Sequence, residues 1–261
     1  MIKATLPTVV TCLYLAACSP MKMSVSEELR AGNEYAVKGR QGILVNQKLS
    51  FGEYTTSKVK RSWTPGTQAR TGIGTGGTAQ EEWVNMISME YVRKKQTLHF
   101  SLAAGDHSSE VYCVSNFRAE SLVVGKNPNS VLNIGLELLG AGSSDSKYYV
   151  QIFTKEGERP WELVLDNQAA QGDRKRYKGF LGRSRSDYYT IRPVFHLEQK
   201  GRQGAMPFGS AGYEIVNPDG TAVAAVSLID KGMVFLGKTN PEERFLMANL
   251  CAALLLQEQI G

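Results

Sequence analysis

The chain has few of the residues from which catalytic and metal sites are usually built. Three histidines (His99, His107, His196) and four cysteines are spread over 261 residues. No His, Cys or carboxylate grouping has metal-ligand spacing, so neither a metal nor another cofactor is expected. There is no Gly-x-Ser-x-Gly elbow. Gly72-Ile73-Gly74-Thr75-Gly76-Gly77 fits the letters of a dinucleotide fingerprint. No apolar strand precedes it and no βαβ unit follows, so the stretch from Gly66 to Gly77 reads as a loop. The net charge of +5 is dispersed along the chain, which argues against a nucleic-acid partner. No apolar run approaches the ~20 residues needed to cross a bilayer as a helix.

The N-terminus is apolar over a shorter span. Met1-Ile2-Lys3 supplies one positive charge, and Ala4 to Ala17 carries none. This is the layout of a secretory leader, too short to span a membrane and interrupted by Pro7. The run ends in Leu15-Ala16-Ala17-Cys18, which resembles the lipobox of bacterial lipoproteins. The resemblance implies cleavage before Cys18, lipidation of its thiol and anchoring to a membrane. Ser19 stands where an Asp would signal inner-membrane retention, so the expected location is the cell envelope at the outer membrane. The chain then divides into a leader (1–17), a lipidated polar tether or short helix (18–33) and one β domain (34–261). Loss of the leader removes Cys12, leaving Cys113 and Cys251, both among apolar neighbours, as expected buried thiols without a disulfide framework.

From about Tyr35 onward, short segments alternate apolar and polar residues between Gly, Asn, Asp and Pro. Leu98, Phe100 and Leu102 share one strand face; Leu132 to Leu138, then Trp161, Leu163 and Leu165, repeat the pattern. Tyr189 and Ile191 precede Pro193, and Phe195 and Leu197 follow it. Asn217-Pro218-Asp219-Gly220 is a hairpin loop, and Asp230-Lys231-Gly232 a further turn. About a dozen strands at this spacing predict a mainly β protein, either a barrel or a sandwich.

The C-terminal segment favours the barrel. Asn240 can cap a helix, Pro241 suits its first position, and Glu243 completes a capping box, predicting a helix over 241–258. From Phe245 to Leu256 every residue except Asn249 is apolar or small. At 3.6 residues per turn such a helix is apolar on all sides and has to be enclosed, and it is too short for lipid to do so. Met233-Val234-Phe235-Leu236, Thr239 to Glu243 and Phe245 to Leu256, taken as last strand, polar entry and greasy helix, resemble the end of the tubby-like fold. That fold is shared by tubby proteins, the plant LURP-one family and phospholipid scramblases. It implies a roughly twelve-stranded antiparallel barrel threaded by its C-terminal helix; a sandwich with one packed helix is the alternative. No motif of those families is present from which site residues could be carried over.

Candidate chemistry is sparse. His99 and His196 occupy polar strand positions, and His107 lies in the turn Gly105-Asp106-His107-Ser108-Ser109, whose neighbours point in different directions rather than converging. Glu81-Glu82, Glu156-Gly157-Glu158 and Glu242-Glu243 are scattered carboxylates. Basic residues cluster at Lys58, Lys60 and Arg61, at Arg93 to Lys95, and at Arg174, Lys175, Arg176, Lys178, Arg183 and Arg185. The last six, interleaved with aromatics, are the candidate anion-binding residues, for anionic envelope lipid or glycan. The expected function is a non-catalytic envelope lipoprotein that binds or scaffolds through outer faces or loops. The alternative is an envelope hydrolase acting on glycan or lipid.

Overall fold

A computed structural model describes residues 21–41, 45–62, 97–117, 147–155, 157–166, 179–184, 186–199, 202–206 and 209–257. The expected strands at 132–138 and the loop at 66–77 lie outside these residues, as does Cys18. The fold is mainly β: a nearly closed barrel of twelve antiparallel strands around one helix.

The wall is largely a meander. Strands β6 (Thr97–Ala104), β7 (His107–Phe117), β8 (Lys147–Phe153), β9 (Trp161–Asp166), β10 (Gly179–Gly182) and β11 (Tyr188–Val194) pair in succession. Next to β11 come β14 (Gly212–Val216), β15 (Ala222–Ser227) and β16 (Met233–Leu236). The N-terminal β2 (Asn33–Ala36) then pairs with β16, while β3 (Ser50–Phe51) and β4 (Tyr54–Thr56) extend the sheet beyond β6, and β5 (Lys60–Ser62) pairs with the other end of β6. The two ends of this path meet where Lys38 N donates to Ser50 O at 2.9 Å and Ser50 N to Lys38 O at 3.1 Å. That seam turns a sheet into a barrel and excludes the sandwich.

Local chemistry sets the turns. Gly105, with φ +56°, leads the two-residue link between β6 and β7, a position where glycine pays no steric penalty. Asn217 to Gly220 joins β14 to β15 as expected. Pro193 lies within β11, opposite Tyr213 of β14. On the other side the last pair with β10 is Gly179 with Ile191, so Pro193 stands beyond it, where β11 has an open edge toward β10.

Helix α2 (Pro241–Leu256) runs through the barrel, and every residue from Phe245 to Leu256 is buried. It passes close to β15 and β16 on one side and to β7 and β8 on the other. Inward residues of the wall, among them Phe100, Leu102, Val150, Ile152, Leu163 and Leu181, are fully buried against it. The one polar helix residue inside is satisfied: Asn249 Nδ2 donates to Phe245 O at 2.8 Å, and its Oδ1 accepts from Ser109 Oγ at 2.6 Å. Tyr148 donates to Ala253 O at 2.9 Å. At the base, Arg40 donates to the carbonyl of Leu255, one of the acceptors that a helix C-terminus leaves open, and to those of Leu228 and Asp230 in the turn after β15. At the mouth, Asn240 Oδ1 accepts from Glu243 N at 2.8 Å. The reciprocal half of the expected capping box is replaced, because Glu243 takes the hydroxyl of Tyr189 at 2.9 Å. The helix ends at Leu256, two residues before the predicted 258.

The segment expected as a tether is, from Lys22 onward, part of the fold. β1 (Lys22–Met23) pairs with β12 (His196–Gln199), which pairs with β13 (Arg202–Ala205), and α1 (Glu27–Arg30) follows β1. This small sheet and α1 lie over the outer face of β14, β15 and β16. Met23, Leu29 and Leu197 pack there with Ala225 and Phe235 in a second apolar cluster. Glu214 fixes the segment by accepting from Ser26 N at 2.7 Å and Ser26 Oγ at 2.6 Å. The polar sequence concealed this docking because few of its side chains, Met23 and Leu29 with the partly buried Val25, supply the contact.

Both cysteines of the domain are buried and free. Burial pushes the Cys113 thiol up to about 12 and raises that of Cys251 as well, which leaves both inert toward thiol reagents. Leu250→Asp, at a fully buried point of α2, should abolish folding, since an unpaired buried charge costs several kcal/mol against a typical stability of ~5–15 kcal/mol. Circular dichroism and gel filtration of the variant test this, and a folded, monomeric Leu250→Asp protein contradicts the enclosed helix.

Candidate binding cleft at the barrel mouth

Where α2 enters the barrel, the rim opens into a cleft of about 350 Å³. Trp161 at the start of β9, Tyr189 in β11 and Phe245 in the first turns of the helix form its aromatic walls. Loops on either side add Lys155, Glu158, Arg183 and Asp187, and the helix start adds Glu242 and Glu243. Nothing in the sequence joins these four carboxylates. They come from three separate stretches: the β8–β9 and β10–β11 loops share one edge of the meander, and the threaded helix sets its first turn beside them.

The charges are interlocked. Arg183 reaches Glu158 at 3.1 Å and Asp187 at 3.1 Å, and its guanidinium lies over the Trp161 ring, 5.1 Å from the centroid. Lys155 meets Glu242 at 3.0 Å and Glu158 at 4.0 Å. The hydrogen bond and charge of Glu242 raise the Lys155 ammonium above its ordinary value. Burial, followed by the hydrogen bond to Glu243, raises the Tyr189 phenol, so it stays protonated as a donor at every physiological pH. Trp161 and Tyr189 stand 5.7 Å apart, and His107 lies 5.3 Å from Phe245. Four carboxylates against two fixed cations leave the cleft acidic, beside a helix N-terminus that suits negative charge.

Of the six candidate anion-binding residues, Arg174, Lys175, Arg176, Lys178 and Arg185 lie outside the described residues. Arg183 is described, and two carboxylates already occupy its guanidinium, so it does not stand as a free cation facing solvent. Arg61 donates to Gln47 at 2.6 Å, whereas Lys58 and Lys60 are exposed. Glu81-Glu82 and Arg93 to Lys95 are also outside the described residues. His196 is exposed, as its strand position predicts.

His99 is more than a solvated edge residue. Its Nε2 is 2.6 Å from Glu110 Oε2 across the β6–β7 pair, and its ring stacks on Tyr112 at 4.4 Å. A buried carboxylate stands elsewhere on the wall: Glu162 accepts from Tyr149 OH at 2.6 Å, and burial raises it above the usual carboxylate range. A raised carboxyl is what a general acid requires. Glu162, however, alternates with the inward-facing Trp161 and Leu163 and so points to the outside of the wall, away from the cleft. Among the described residues, no group of three His, Cys, Asp or Glu side chains could hold a metal ion, and no helix is long and apolar enough to cross a membrane.

No protein-family model, curated protein or solved structure matches this chain.

For Glu110, burial works to raise the carboxyl, but the hydrogen bonds from His99 and Ser101, with the nearby positive charge, outweigh it and hold the group below its ordinary value. A depressed carboxylate stabilises the fold above its unfolded-state value, and that contribution is lost as pH falls through the folded-state value. Glu110→Gln should therefore lower the urea midpoint at neutral pH, with the difference from the parent closing in acid. A difference that persists or grows in acid contradicts this reading.

Proposed function

We propose that the chain is a non-catalytic cell-envelope lipoprotein, anchored through Cys18 at the outer membrane, which binds its ligand at the barrel mouth. The enclosed helix carries this reading. With every residue from Phe245 to Leu256 buried along the axis, the interior is occupied by the chain's own side chains, and binding falls to the rim and the outer faces. The resemblance to the tubby-like fold belongs to the same proposal, supported by the twelve-strand barrel and the threaded helix.

The cleft favours a glycan over an anionic lipid. Its carboxylates outnumber its cations, so a phosphate would meet repulsion. Aromatic walls beside hydrogen-bonding side chains instead suit the apolar faces and hydroxyls of a sugar. Each cleft carboxylate already holds a cation or a phenol, and the raised carboxyl of Glu162 points elsewhere, which favours binding over hydrolysis.

Titration calorimetry with neutral envelope oligosaccharides should give saturable binding that Tyr189→Ala weakens at least tenfold, about 1.4 kcal/mol. Binding confined to anionic vesicles, or release of reducing sugar by the parent protein, would refute the proposal. Separately, Cys18→Ala should abolish incorporation of labelled fatty acid and move the protein from the membrane to the soluble fraction; continued labelling contradicts the lipobox.

A further inference from the structure

The first described residues lie along one flank of the barrel, and the strands that line the cleft at the mouth belong to the rest of the ring. Along the ring of strands, β2, β16, β15 and β14 form one flank, and β7 to β11 form the half that carries the cleft. The first described residues lie on the former flank. Met23 packs against Gly212 in β14, Ser26 is held by Glu214, and Gly32 sits on Leu236 of β16. The small sheet is the outer layer over this flank. Its buried side chains, Met23 and Leu197, point to the barrel, while Lys22, Glu198 and Gln203 stand in register on the opposite face, with His196 and Ala205 beside them.

The fold begins very close to the proposed lipid. Only Ser19 and Pro20 separate Cys18 from Met21, so the two Cα atoms can be no more than about 11 Å apart even when the chain is fully extended. An acylated Cys18 sits at the interface of the bilayer. A tether this short cannot carry the domain clear of the surface or let it turn over. Met21, at 51% exposure the most solvent-accessible large apolar residue of this flank, is next to the anchor. The charges on the face are matched: Lys22 with Glu34 at 3.0 Å, and Arg30 with Glu198 at 2.7 Å.

We infer that the outward face of β1, β12 and β13 is a membrane-facing surface. It rests on the same bilayer that holds the acyl chains, so that the half of the ring lining the cleft is turned away from that bilayer. The inference rests on the lipoprotein reading. Because its charges are paired, the face needs no anionic headgroups and should lie equally well on zwitterionic lipid. The cleft's ligand then comes from the aqueous side or from a facing structure, and not from headgroups of the protein's own leaflet.

The test uses the full-length, lipid-modified protein in phosphatidylcholine vesicles doped with a headgroup-attached nitroxide quencher. Gln203→Cys, on the small sheet, and Asp106→Cys, at the exposed β6–β7 turn, each carry a fluorophore; the buried Cys113 and Cys251 stay unlabelled. Quenching should be several-fold stronger at position 203 than at position 106. A flexible Gly/Ser insert of about 15 residues after Ser19, spanning roughly 20 Å, should bring the two positions together. Equal quenching without the insert, or stronger quenching at position 106, overturns the orientation while leaving the lipoprotein reading intact. An unchanged difference with the insert overturns the short tether as its cause. Intact mass without acyl chains at Cys18 removes the lipoprotein reading, and the membrane-facing surface with it.

Discussion

A helix with no polar side has no place on a protein surface, and this constraint organises the molecule. Burying α2 on all sides requires a wall with the same property turned inward, and twelve antiparallel strands provide it. Most inward side chains of that wall belong to the helix's own apolar cluster. Two polar groups inside, Asn249 and Tyr148, are each given a partner. Burying them unpaired would cost about 1–3 kcal/mol each.

The same constraint shapes the ends of the barrel. A helix that stops inside a protein leaves amide donors at one end and carbonyl acceptors at the other. At the base, Arg40 crosses from the N-terminal part of the chain to meet the carbonyls. At the mouth, Asn240 caps the donors, and the acidic first turn draws in Lys155 and Tyr189. The cleft is thus a by-product of helix entry: the residues that end the helix politely toward solvent also furnish the polar lining of the depression above it.

Much of the architecture was legible in the sequence because it follows from periodicity. The alternation of Leu98, Phe100 and Leu102, the Asn217–Gly220 hairpin and the all-round apolarity of Phe245 to Leu256 each reflect a local rule. What was not legible depends on contacts between distant residues. Lys22 to Arg30 looks like a polar tether, and its docking rests on Met23, Leu29 and a carboxylate almost 190 positions away. Arg183 looks like a member of a basic cluster until its partners Glu158 and Asp187 are placed around it. Glu243 looked committed to its own helix cap, yet strand β11 offers it a phenol. In each case the composition fits the segment, and the neighbour supplied by the barrel changes its meaning.

The position of the helix in the chain bears on how the protein comes to be folded. The element that fills the barrel is synthesised after every described strand of its wall, and the strand that completes the wall beside β16 comes early in the chain. Until the helix arrives, the strands have no core to close upon, and their inner faces are exposed apolar surface. Assembly that joins the two termini in this way has a high contact order and is expected to be slow. A chain stalled or cut short before residue 245 would then present an open, sticky sheet, prone to aggregate.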